Sequence, residues 1–166
     1  MAPQEGTGQY QQAVIITLRS LAASPKSRDV LKKKLASKGF PGPVVTRVLD
    51  DLAAQGVLDD SVFAKDLVSR LTQTSGAGRF KVAFELKRRG ISAQVREKLL
   101  SSMTDEDEGA RALEQARLKW PGWKRLEPLK RKKRLYDFLI RKGYDFRIAQ
   151  GVLAQLDRDV FPGDEI

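Results

Sequence analysis

The sequence predicts an all-α fold of three tandem three-helix modules, and three observations carry that prediction. The first is a helical hairpin written three times around Gly39, Gly90 and Gly143. Aligned on these glycines without a gap, apolar residues fall into columns: Leu31, Val82 and Leu135 eight before, and Leu35, Leu86 and Leu139 four before. Phe40, Ile91 and Tyr144 stand one after, and Val44, Val95 and Ile148 five after. Val48-Leu49, Leu99-Leu100 and Val152-Leu153 stand nine and ten after, with Leu52, Met103 and Leu156 thirteen after. In a chain that is 41% hydrophobic, a column is apolar in all three copies about 7% of the time by chance, and seven columns agree. The second observation is that helix stop and start signals surround each glycine. The third is that no stretch alternates with period two for long enough to form a strand. A repeat of this kind makes each copy a unit that buries its apolar face partly on its neighbours.

The elements follow in order. Residues 1–10, rich in Gln, Gly and Thr, read as a disordered lead-in. A first helix is expected near Gln11 to Ala22, with Ile15, Leu18 and Leu21 at helical spacing and Ile16 in register with later copies. Ser24-Pro25-Lys26-Ser27 is the turn, and Ser27 is the expected N-cap of a helix to Lys38. The spacing of four before each glycine continues the helix period, and Lys38, Arg89 and Lys142 immediately precede the glycines. Glycine just past a helix end takes the left-handed cap, and a cation there favours the negative end of the dipole. The next helix opens with Pro43 in its first turn in copy one, and with Ser92 and Asp145 as N-caps in copies two and three.

The second copy has a leading helix from about Asp60 to Thr74, with Phe63, Leu67 and Leu71 on one face, ended by Ser75-Gly76-Ala77-Gly78. The third leading helix starts at Thr104, where Thr104-Asp105-Glu106-Asp107 resembles a capping box. It runs to about Trp120 and stops at Pro121-Gly122. The modules are therefore expected over 11–55, 56–103 and 104–158, with 159–166 a loose tail.

Composition narrows the function. The chain of 166 residues has no cysteine and no histidine, which removes disulfides, thiolate sites, and the commonest general base and metal ligand. No phosphate-cradling G-x-x-x-x-G-K-[ST] loop or nucleophile elbow is present. Neither a catalytic residue, a metal site nor a cofactor is expected. No apolar run approaches a membrane span, and Met1 to Gly8 lacks the regions of a signal peptide, so a cytoplasmic protein without membrane contact is expected.

Formal charge is +10, and it is concentrated. From Arg117 to Arg147 stand twelve Lys or Arg against three acids. Such a surface implies an anionic partner. The run Lys130-Arg131-Lys132-Lys133-Arg134 is its centre. Most charge runs are solvated faces, but Pro128 suggests that a helix begins here. Cations in a first turn oppose the dipole, by up to about 0.3–1 kcal/mol each. Five together are not explained as stabilising, so the run reads as an anion-binding patch with Arg141 and Lys142. Lys87, Arg88 and Arg89 lie in a last turn that favours them, and an outward face accounts for Lys32, Lys33 and Lys34. Yet every hairpin carries a basic group near the same corner, a repeated basic edge.

Trp120 shares a column with Ile16 and Leu67 and reads as core. Trp123 has no apolar counterpart and either covers a helix end or meets a partner. Asp59-Asp60 reads as capping rather than acid–base chemistry, since adjacent residues on a helix entry do not face one another. Asp105 to Glu108 reads as charge favoured at a helix start.

Several segments together resemble the RecX family of bacterial recombination regulators. Gly56-Val57-Leu58-Asp59-Asp60 followed by Phe63-Ala64 is similar to a family signature in which tyrosine is usual at the place of Val57. Glu85-Leu86-Lys87-Arg88-Arg89-Gly90-Ile91 and Phe138-Leu139 with Arg141-Lys142-Gly143-Tyr144 resemble two further stretches. The resemblance covers about Val14 to Leu156, and the order and spacing of the pieces make it specific. It implies an elongated, curved array of three-helix modules and a non-enzymatic monomer acting in DNA recombination, repair and the SOS response. It implies binding in the groove of the RecA–DNA filament, with inhibition of ATP hydrolysis, strand exchange and filament extension. The rival reading is a protein that binds single- or double-stranded DNA directly through basic trihelical modules.

Overall fold

The structure, a computed structural model, describes residues 4–160. Nine α-helices follow one another among these residues: α1 (Gln4–Ala23), α2 (Arg28–Ser37), α3 (Gly42–Ala54), α4 (Asp60–Ser69), α5 (Arg79–Arg88), α6 (Ala93–Ser101), α7 (Asp105–Lys119), α8 (Pro128–Lys142) and α9 (Phe146–Val160). The all-α fold class is as the columns require. Residues 1–3 of the expected lead-in and 161–166 of the expected tail lie outside the described residues. Helix already runs from Gln4, where a disordered lead-in was expected, and continues to Val160.

The glycine columns have a structural cause. Gly39, Gly90 and Gly143 sit at φ of 84°, 73° and 90°. Past each one the chain folds back so that Phe40, Ile91 and Tyr144 donate backbone N–H bonds to Leu35, Leu86 and Leu139 at 3.3, 3.1 and 3.2 Å. This closing turn places the residue after the glycine over the residue four before it, so both columns are apolar. Expected start signals also form. Ser27 Oγ accepts from Val30 N at 3.4 Å, Asp145 Oδ1 from Ile148 N at 2.8 Å, Thr104 Oγ1 from Asp107 N at 3.1 Å, and Ser92 Oγ from Val95 N at 3.4 Å. Asp59 caps α4 through Ser61 N and Val62 N, as expected for capping.

Two helices differ from expectation. In α1 the buried line is Ala13, Thr17 and Ser20, while Ile15 and Leu18 are exposed at 48% and 41%. These small side chains lie where α1 packs on α2 and α3; the Thr17 hydroxyl is satisfied by Ala13 O at 2.7 Å, and Ser20 Oγ accepts from Lys34 Nζ at 2.8 Å. A polar residue that bonds its own helix backbone can be buried where a hydrophobicity pattern places it outside. The second leading helix leaves α geometry after Ser69 and ends in a π-helical turn, Arg70–Thr74, closed by Ser75 N to Arg70 O at 3.3 Å.

The chain divides into two compact units: residues up to 67 with 86–96, and 68–85 with 97 onward. In the first, Leu31, Leu35, Val45, Val48, Leu49 and Leu52 form the core. In the second, Trp120, Leu135, Leu139, Tyr144, Val152 and Leu156 do so. The middle module is shared out: Leu58, Phe63, Ala64, Leu67, Leu86 and Ile91 are buried residues of the first unit, and Ala77, Val82 and Met103 of the second.

Each unit contains one helix end docked on a glycine turn, and the contacts repeat in register. In the first unit Ser27 Oγ donates to Arg89 O at 2.5 Å, Asp29 lies against Gly90, and Asp60 Oδ1 accepts from Arg28 N at 2.8 Å. Burial pushes the Asp60 carboxyl above its ordinary pKa, against the bond from Arg28 N. In the second unit Gly78 N donates to Lys142 O at 2.9 Å, Phe80 N to Gly143 O at 3.0 Å, and Arg79 N to Glu108 Oε1 at 2.7 Å. Ser27 and Gly78 both stand twelve before a turn glycine, and Arg28 and Arg79 eleven before. Gly78 is required by the close approach: a Cβ there would fall on the Gly143 carbonyl.

Tyr144, 1% exposed, donates from its hydroxyl to Gly76 O at 2.9 Å. Burial pushes its phenol up to about 12, from an ordinary value of 10.0. The fold therefore favours the neutral ring. The stability this gives is complete below pH 10.0 and is lost as pH rises to about 12. Tyr144→Phe should flatten that alkaline loss, and melting temperatures recorded across this window, with tyrosinate absorbance, check it.

Candidate anion-binding surface

The basic run is built on α8. Pro128 opens the helix, and Glu127 caps it, accepting from Leu129 N and Lys130 N at 3.2 Å each. This carboxylate at the positive end offsets the unfavourable placing of the cations behind it. Leu135 and Leu139, both fully buried, fix which side of α8 faces inward.

The five cations of the run do not behave alike. Lys130, Lys133 and Arg134 are exposed, as is Arg141 one helix end away. Arg131 lays its guanidinium over the Trp120 ring at 4.4 Å. Arg134 stands over Trp123 at 5.6 Å, and Trp123 meets Phe138 edge-on at 6.1 Å. Trp120 is core, as expected, and of the two readings of Trp123 the structure shows it half-buried and packed on α8. Lys132 pairs with Asp157 at 2.5 Å, so it already has an internal partner. Lys142 donates to Ser75 O at 2.5 Å and lies over Phe138 at 5.5 Å. Burial first, then the charges of Lys81 and Lys119, hold its pKa below the ordinary lysine value. The arginines held over rings are always charged and already oriented, which suits a preorganised patch.

The first unit carries the other candidates. Lys32, Lys33, Lys87, Arg88 and Arg89 are exposed. Lys33 pairs with Asp29 at 2.6 Å one turn away, an exposed pair of small energetic weight.

Three residues of consequence escaped the sequence reading. Glu127 is a cap whose signal in the sequence is a carboxylate directly before Pro128. Glu108 stands in the first turn of α7, as expected of a charge favoured at a helix start, but it is 2% exposed and also meets Arg79 Nε at 3.0 Å. Arg79 further bonds Met103 O and, at 3.1 Å, Asp105. A partner 29 residues away leaves no local mark on the sequence. Among the described residues no group of three or more acidic side chains converges as a metal site, and no helix is long and apolar enough to cross a membrane.

Three family models match the chain in order: the first three-helix domain of RecX over residues 13–52, the second over 59–100 and the third over 105–153. The regulatory protein RecX of Mycobacterium sp. (strain KMS) is 35% identical over 158 residues, spanning 91% of this chain and 85% of the relative. That of Chlorobium phaeobacteroides (strain BS1) is 31% identical over 148 residues, spanning 89% and 95%. The crystal structure of RecX from Lactobacillus salivarius superposes with a TM-score of 0.81 at 18% identity, covering 91% of this chain and 98% of that one. A second crystal structure, of a regulatory protein RecX, gives 0.73 at 19% identity, covering 89% and 73%.

Proposed function

This chain belongs to the RecX family, and from that premise we propose that it is a non-enzymatic negative regulator of the RecA recombinase. It binds in the groove of the RecA–DNA filament and inhibits ATP hydrolysis, strand exchange and filament extension, working in the cytoplasm as a monomer without metal or cofactor. The observation that carries the reading is the basic face of α8. Lys130, Lys133, Arg134 and Arg141 are exposed there, beside Arg131, Arg134 and Lys142 held against aromatic rings. Lys87, Arg88, Arg89, Lys32 and Lys33 supply further cationic contacts. Lys132 contributes less, because Asp157 offsets it.

The same exposed cations favour a second reading, direct binding to single- or double-stranded DNA. Salt separates the two. Binding to bare duplex through phosphates falls with a slope of about −0.9 per phosphate neutralised on a logarithmic salt axis. Fluorescence anisotropy of the labelled chain, titrated with bare DNA and with the recombinase filament at rising salt, tests this. Tighter binding to the filament, surviving salt that releases the chain from bare DNA, is expected. Equal affinity and equal slopes on both would establish the DNA-binding reading.

A further inference from the structure

We propose that the α5 face bearing Phe80 and Phe84 is a docking surface for a partner protein that offers an apolar cleft with an acidic rim. The proposal rests on the filament-directed reading and names the apolar half of that contact.

Phe80 and Phe84 lie one turn apart on α5 and are each 63% exposed. Residues at this spacing are neighbours on one helix face. The repeat supplies its own comparison. At the same two places, ten and six before the turn glycine, the first module has Asp29 and Lys33, joined at 2.6 Å. The third has Lys133 and Asp137, again of opposite charge. Two copies of the hairpin therefore carry there what water suits, and the fold does not need rings at these positions. In the middle copy two large apolar side chains stand in solvent instead. Isolated exposed apolar residues are ordinary; a matched pair replacing a charge pair points to a contact.

Charge decides what covers them. Lys81, between the two rings in sequence, is exposed, and its backbone lies against Gly143. Lys81 and Lys119 are near enough to Lys142 to disfavour its charged form. A second copy of this chain, itself at +10, would bring like clusters together. A lipid surface would gain only two rings from a ten-residue helix, too little apolar area for stable attachment. An acidic rim relieves the lysines, and anchors one turn apart are how a helix enters an apolar groove.

The test copies the first module into the second. Phe80→Asp with Phe84→Lys installs the Asp29–Lys33 arrangement, and Phe80→Ser with Phe84→Ser removes the rings without adding charge. Both should melt as the wild type does, because the rings are outside the core. Loss of two buried anchors should raise the half-inhibitory concentration against recombinase ATP turnover by about tenfold or more. Because the chain has no cysteine, an environment-sensitive dye on Lys81→Cys reads the face directly, and it should lose water contact on the filament. Equal potency of wild type and both variants overturns the docking surface and leaves the filament reading standing. A wild type that does not inhibit overturns the filament reading, and the docking surface with it. A wild-type dimer abolished by the variants, or a loss confined to binding of bare single-stranded DNA or of anionic phosphatidylserine vesicles, overturns the proposed occupant.

Discussion

Replacing Glu108 with alanine should lower the melting temperature of the chain by roughly 4–16 °C, the equivalent of about 2–4 kcal/mol at this length. Three effects act together. The Glu108 carboxylate is buried, accepts the first amide of α5 from Arg79 at 2.7 Å, and pairs with Arg79 Nε at 3.0 Å. Removing it leaves a helix N-terminus without its cap and a guanidinium facing a void. The value lies below that of a fully buried pair because Arg79 keeps Asp105 and is about one-third exposed. Glu108→Gln retains an acceptor for the amide but not the ion pair, so it should fall between wild type and alanine. Differential scanning calorimetry of the three proteins checks the order. A loss under about 1 kcal/mol for the alanine variant would show that the ion pair and the cap contribute little net.

The second large effect concerns activity. Charge reversal at Lys130, Lys133 and Arg141 together should raise the half-inhibitory concentration against recombinase by about tenfold or more, since charge reversal in a contact adds repulsion to lost attraction. Helicity and melting should hold, because all three side chains are exposed, with no carboxylate paired to them among the described residues. Lys132 belongs outside this set. Its reversal would set a carboxylate against Asp157 and confuse lost binding with lost packing of α8 on α9. Lys132→Glu alone should therefore show in the melting curve, and the triple variant in inhibition. Unaltered inhibition by the triple variant would remove α8 from the contact.

How much the sequence discloses depends on how local the cause is. The turn glycines, their flanking apolar columns and the caps at Ser27, Ser92, Thr104 and Asp145 all act within a few residues, and each was legible. Trp120 was legible as core because the repeat supplied Ile16 and Leu67 as counterparts. The buried face of α1 was not, because Thr17 and Ser20 read as polar until their hydrogen bonds to Ala13 O and from Lys34 are known. Nor was the π turn at Arg70–Thr74, which breaks no composition rule. Long-range pairs were the least legible. Glu108 with Arg79, and Lys132 with Asp157, look like ordinary surface charges until the fold joins them. The same holds for the basic patch: its position on α8 could be read, but the division into exposed cations and cations engaged with rings or carboxylates could not.

The most direct test of the regulatory reading is ATP turnover by a RecA-type recombinase on single-stranded DNA, titrated with this protein while its own binding to that DNA is measured. Inhibition well below the concentration that coats the DNA is the expected result. Inhibition only at DNA-saturating concentrations, or none, would contradict a filament-directed regulator.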